Sequence, residues 1–267
     1  MKSVLLYANQ DSGLEARLQA ALDVARRFGG HLSCLQVTPY NSFIMGDPFG
    51  GVYALPSVAM EVAEADDRHR EDLEQRLRGE GVSWDWSRFD GQPAQLIVDR
   101  SRLADLIVLS LAADRDDALL PVAADVALHA RSLVLAMPRS SRSFDGGGPA
   151  LVAWNGSAEA ANALRLALPM LATAAQVDIV TIAEDDAEFP STDAAEYLSR
   201  HGVRSELHER HHEGRTTCHA IIDTAQTLGA AYVVMGAYGH SRLREAVLGG
   251  ATRDMMDQSP LPLLLGH

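Results

Sequence analysis

Short apolar runs alternate along this chain with longer stretches in which apolar residues recur every three or four positions. Ser3–Ala8, His31–Val37, Val82–Phe89, Ala104–Ser110 and Leu133–Met137 read as strands. Between the first two lies 12–28, where Leu14, Leu18, Ala21, Leu22 and Ala25 fall on one helical face and Gly29-Gly30 ends the helix. Helices are likewise predicted over 57–78, 93–102 and 119–130, and 39–56, rich in Gly, Pro and aromatic residues, reads as an exposed excursion. After PRSSRSFDGGG at 138–148, a stretch of linker composition, the order repeats. Strands are predicted over 150–154, 176–182, 204–212, 230–236 and 262–266, with helices over 157–171, 191–201, 216–228 and about 251–259. Strands alternating with helices need right-handed crossovers and a largely parallel sheet covered on both faces. The expected architecture is α/β, with tandem five-stranded units at 1–137 and 149–267 joined by a linker at 138–148.

The most informative stretch is 230–252, AAYVVMGAYGHSRLREAVLGGAT. A buried strand runs into Gly236 and Gly239, and Gly249 and Gly250 open a short helix. Glycine lets the backbone approach a ligand closely, and the unpaired N–H groups of a helix start attract anions. The spacing Gly236-x2-Gly239-x9-Gly249 resembles the nucleotide-binding signature of the universal stress protein family, G-x2-G-x9-G-Ser/Thr. With the repeat, the resemblance extends over nearly the whole chain, to a tandem universal stress protein. It implies a Rossmann-like fold of the adenine nucleotide alpha hydrolase type, with the last strand of each unit paired in an intramolecular pseudo-dimer. It also implies ATP or another adenine nucleotide as ligand, with or without Mg²⁺. Two positions depart from the pattern: Gly250 replaces the Ser/Thr, although Thr252 follows, and Asn155 stands where Asp is usual.

Ligands of open α/β sheets sit beyond the carboxyl ends of the strands. The binding residues expected are therefore Asn155, Ile182, Gly236, Gly239, His240, Arg242, Gly249, Gly250, Ala251 and Thr252. In the first unit Ser110 aligns with Gly236 and Ala113 with Gly239, the glycines are gone, and Asp114, Asp116 and Asp117 would repel phosphates. That unit is expected to be a structural partner.

Net charge is −13, with 13 basic against 20 acidic residues over 1–137 and 8 against 15 over 149–267. Neither half has the basic excess of a nucleic-acid binder. No apolar run reaches membrane-spanning length, and Cys34 and Cys218 form no CxxC pair, so a cytoplasmic protein is expected. His208 and His212 share a strand face about 13 Å apart. A zinc site there would need ligands from elsewhere in the chain, and an exposed polar edge with no metal is the expectation. No nucleophile elbow, HExxH or Walker lysine occurs, and Lys2 is the only lysine, so any ATP hydrolysis is expected to be slow and incidental. The functional expectation is a stress-response nucleotide sensor or switch. The alternative is an interaction scaffold that binds no nucleotide and acts through dimerisation or a protein partner.

Overall fold

The strands come first, because their order decides where every other residue lies. The computed structural model describes residues 1–39, 44–46, 52–54, 56–111, 119–182, 190–211, 214–238 and 250–267. Strands β1 (Ser3–Tyr7), β2 (His31–Thr38), β5 (Ser83–Asp90), β6 (Leu106–Ser110), β7 (Leu133–Met137), β8 (Ala150–Ala153), β9 (Val177–Ile182), β10 (Glu206–Arg210), β11 (Tyr232–Gly236) and β12 (Leu263–Gly266) form one sheet. Its order is β10-β9-β8-β11-β12-β7-β6-β1-β2-β5. A separate pair, β3 (Ile44–Gly46) with β4 (Val52–Ala54), falls within the predicted excursion.

Within each half the neighbours are parallel, as the βαβ alternation requires. The halves meet where β7 and β12 run antiparallel, with Leu264 opposite Leu135. Leu135 pairs with Val108 of β6, and Leu264 with Val234 of β11. Val108 and Val234 correspond in the aligned repeat, so each leucine faces its own counterpart and a local two-fold axis passes between them.

Helices α1 (Leu14–Phe28), α2 (Pro56–Leu77), α5 (Ala158–Leu171) and α6 (Ser191–Arg200) cover one face of the sheet. Their Leu18, Leu22, Leu73, Leu77, Leu164 and Leu198 join one buried cluster. Helices α3 (Pro93–Arg100), α4 (Leu119–His129), α7 (Thr217–Thr227) and α8 (Ala251–Gln258) cover the other, through Ile97, Val126, Ile221 and Met255. The central strands are therefore apolar on both faces, whereas edge strand β5 alternates, with Trp84 and Trp86 half-buried against the first cluster. The connection 138–148 has no regular structure but is pinned. Phe144 is buried against Tyr232, its ring centroid 5.5 Å away, and its N–H donates to Asp23. Both thiols are buried; burial pushes Cys34 up to about 12 and Cys218 up to about 11, so neither is a thiolate at neutral pH.

The start of the chain is held by Asp105, whose Oδ2 accepts the N–H groups of Lys2 at 2.5 Å and Ser3 at 3.0 Å. Burial opposes ionisation of this carboxyl, but those two N–H groups and the terminal ammonium win and hold it below the usual range. A carboxylate lowered on folding stabilises above the unfolded value, roughly pH 4, and that contribution disappears as pH falls through the folded value. Asp105→Asn is expected to cost a few tenths of a kcal/mol to ~1 kcal/mol at neutral pH, because the group is exposed. Urea unfolding of both proteins should show the difference closing in acid.

Candidate functional site

Three parallel neighbours, β9, β8 and β11, end side by side, so Ile182, Asn155 and Gly236 lie along one edge of the sheet. With strands ~4.8 Å apart, the span from β9 to β11 is about 10 Å. Asn155 is exposed just past β8, and its Oδ1 accepts the Ser157 N–H at 3.1 Å. Gly156 takes the turn with φ of 75°, and the Ser157 hydroxyl caps α5 by accepting Ala160 N–H.

Gly236 is required by packing. A Cβ there would stand 2.6 Å from Ala160 N and 2.8 Å from Glu159 C, so the first turn of α5 rests directly on the end of β11. Beyond it Ala237 is buried and Tyr238 holds a positive φ of 54°. The Tyr238 N–H donates to Thr252 Oγ1 at 3.3 Å, which ties the start of α8 to the exit of β11. Gly250, in extended conformation, caps α8, and the N–H groups that begin the helix belong to Ala251, Thr252 and Arg253. The structure thus gathers Asn155, Ile182, Gly236, Gly250, Ala251 and Thr252 around one edge. Gly239, His240, Arg242 and Gly249 lie outside the described residues, as do Ala113, Asp114, Asp116 and Asp117. Thr252 is 4% exposed, and its hydroxyl accepts the Tyr238 N–H.

The corresponding strand ends in the first half have a buried arginine beneath them. Arg17 has no exposed side-chain surface and lies beneath the ends of β1 and β6. Its guanidinium donates to Tyr7 O, Asn9 O, both Asp11 carboxylate oxygens and Ser110 Oγ, all within 2.8–2.9 Å. The bidentate contact with Asp11 and three further acceptors use the whole donor fork. Here the glycine caps the helix: a Cβ at Gly13 would stand 2.2 Å from Ser110 Oγ. Counting from the first helical hydrogen bond, Arg17 N to Gly13 O and Ala161 N to Ser157 O, the second-half counterpart of Arg17 is Ala161. Sequence reasoning missed Arg17, although it stands three after Leu14 and four before Ala21, within the apolar stripe of α1.

Residues 148–266 match the family model described as "Universal stress protein family". This half is a universal stress protein domain. The whole chain is similar in structure to a universal stress protein from Archaeoglobus fulgidus DSM 4304, with TM-score 0.76 and 17% identity over 99% of this chain and 96% of that one. Proteins from Pseudomonas aeruginosa strains UCBPP-PA14 and PAO1, the second described as functionally unknown, each give TM-score 0.61 and 19% identity over 99% of this chain and 92% of theirs. At such identities these likenesses establish the fold of both halves. No functionally curated protein matches the sequence. The universal stress protein domain contains all the expected binding residues, and among the described residues no helix is long and apolar enough to cross a membrane.

Proposed function

We propose that the universal stress protein domain binds an adenine nucleotide, ATP being the first candidate, and that residues 1–137 act as its structural partner. The observation that carries this reading is the contrast between the halves. Where the first buries Arg17 under its strand ends, the second has Ala161, and it keeps Gly236 with the G-x2-G-x9-G spacing. The adenosine part would lie across the exits of β8 and β9, with its phosphates towards the N–H groups opening α8. Nucleotide would alter the surface around the exit of β11 and the start of α8, which a protein partner reads, through its differential affinity for the two states.

A second reading, an interaction scaffold without nucleotide, is favoured by one observation. The polar groups of Asn155 and Thr252 both take local backbone N–H donors. Release of bound nucleotide on denaturation, followed by calorimetric titration of the emptied protein with ATP and Mg²⁺, distinguishes the two. The expected result is about one site per chain of micromolar affinity, lost in Gly239→Asp and Gly249→Asp and kept in Ala113→Asp. No released nucleotide and no heat up to millimolar ATP would establish the scaffold reading; equal loss from Ala113→Asp would move the site out of the second half.

A further inference from the structure

We propose that Asp178, Glu206 and His208 form a divalent transition-metal site, with zinc as the best-suited ion, at the β9–β10 edge of the sheet. Sequence spacing alone pairs His208 with His212, too far along one strand to share an ion. The fold supplies the missing ligand from the neighbouring strand instead. Asp178 of β9 is in register with Glu206 of β10, and His208 lies two residues further along the same face. One ligand atom from each of the three falls within 4.8 Å of the others, and His208 Nε2 stands 2.7 Å from Asp178 Oδ1.

Charge is the argument for an ion. The Asp178 side chain is 2% exposed, and among the described residues His208 is the only basic side chain within ion-pair distance of it. Glu206, with no ion-pair partner among the described residues, adds a second carboxylate beside it. A buried carboxylate needs a compensating charge. A dication would neutralise both carboxylates with a neutral imidazole as third ligand. Gln176 Nε2 donates to both Asp178 oxygens, at 3.1 and 2.9 Å, and so fixes the carboxylate plane as outer-sphere partners of metal ligands do.

Nitrogen and oxygen ligands bind zinc at about 2.0–2.2 Å, which puts tetrahedral ligand atoms roughly 3.3–3.6 Å apart. The present 2.7 Å contact must therefore open by under ~1 Å. To ligate through Nε2 the imidazole must be neutral with its proton on Nδ1, and any proton displaced on binding goes to solvent. Exposed Glu206 faces water, leaving a fourth position for a water molecule. Asp178 is the second residue of β9 and Ile182 the last, so this site and the candidate nucleotide edge lie at opposite ends of the strand, about 13 Å apart.

The first half carries its own control. His31 also contacts a carboxylate, Asp85, at 2.8 Å, but its other nitrogen is taken by Ser83 Oγ and Ser33 completes the group. That constellation has one carboxylate and two hydroxyls, a hydrogen-bond set and no metal ligand set.

The test is a titration of the chelator-stripped, full-length protein with Zn²⁺, and with Co²⁺ followed by its visible absorption. About one equivalent should bind with micromolar or tighter affinity. Binding should fall at least tenfold in His208→Gln and in Glu206→Gln, an exposed site where folding is undisturbed, and remain in His31→Gln. Circular dichroism of each variant verifies the fold. Absence of binding overturns the proposal, as does binding that survives His208→Gln, binding indifferent to Glu206→Gln, or equal loss in His31→Gln.

Discussion

Arg17→Met is expected to destabilise the protein by about 3 kcal/mol, the lower end of the ~3–5 kcal/mol for breaking a buried ion pair. Arg17 is wholly buried and Asp11 is 19% exposed on its side chain, so the orphaned carboxylate regains some water, which sets the lower figure. Two backbone carbonyls, of Tyr7 and Asn9, and the Ser110 hydroxyl lose their donor as well. Arg17→Lys should recover little, because an ammonium has three donors and no planar fork with which to reach five acceptors. Adding Asp11→Asn to Arg17→Met should restore part of the loss by removing the uncompensated charge. Urea unfolding measures all of these. A loss below ~0.5 kcal/mol for Arg17→Met, the level of an ordinary surface substitution, would mean that the guanidinium is dispensable to the first half.

Gly236→Ala should act on both stability and ligand binding. The new methyl would meet backbone atoms, at 2.6 Å from Ala160 N and 2.8 Å from Glu159 C, and no side-chain rotation relieves a clash with main chain. Either α5 lifts from the sheet or β11 retreats from it, at a cost of about 1–3 kcal/mol or more. Because the same contact aligns the exit of β11 with the cap of α5, affinity for the proposed nucleotide should drop together with the thermal midpoint. Gly229→Ala is a useful companion: its φ of 67° is strained for alanine, yet nothing lies within 4 Å of the added carbon. It should lower the midpoint without changing affinity in the folded protein. Unchanged stability in Gly236→Ala would show that the helix start is free to move.

The repeat and the sheet were legible from periodicity because strands buried on both faces and helices with one apolar stripe write their patterns directly into sequence. The pairing of β7 with β12 was reached only through resemblance; nothing in Leu133–Met137 or Leu263–Gly266 by itself names a partner. Arg17 and Asp178 were hidden for one shared reason. Each is a charged residue inside an apolar pattern, where its neighbours dominate the reading. Their partners come from other elements: Ser110 is 93 residues from Arg17, and His208 is 30 from Asp178. The bond from the Tyr238 N–H to Thr252 was not legible either, because motif spacing cannot reveal a partner fourteen residues away.

The self-opposed leucines at the centre of the sheet bear on how such a chain can change over time. An interface in which Leu135 meets its counterpart Leu264 is the geometry of a homodimer, here drawn into one polypeptide. In a homodimer every substitution is made twice, so an arginine buried beneath the strand ends of one copy would be buried beneath those of both. Fusion removes that penalty. One copy is free to bury a paired arginine beneath its strand ends, while the other keeps its glycine and is held in register by the joint they share.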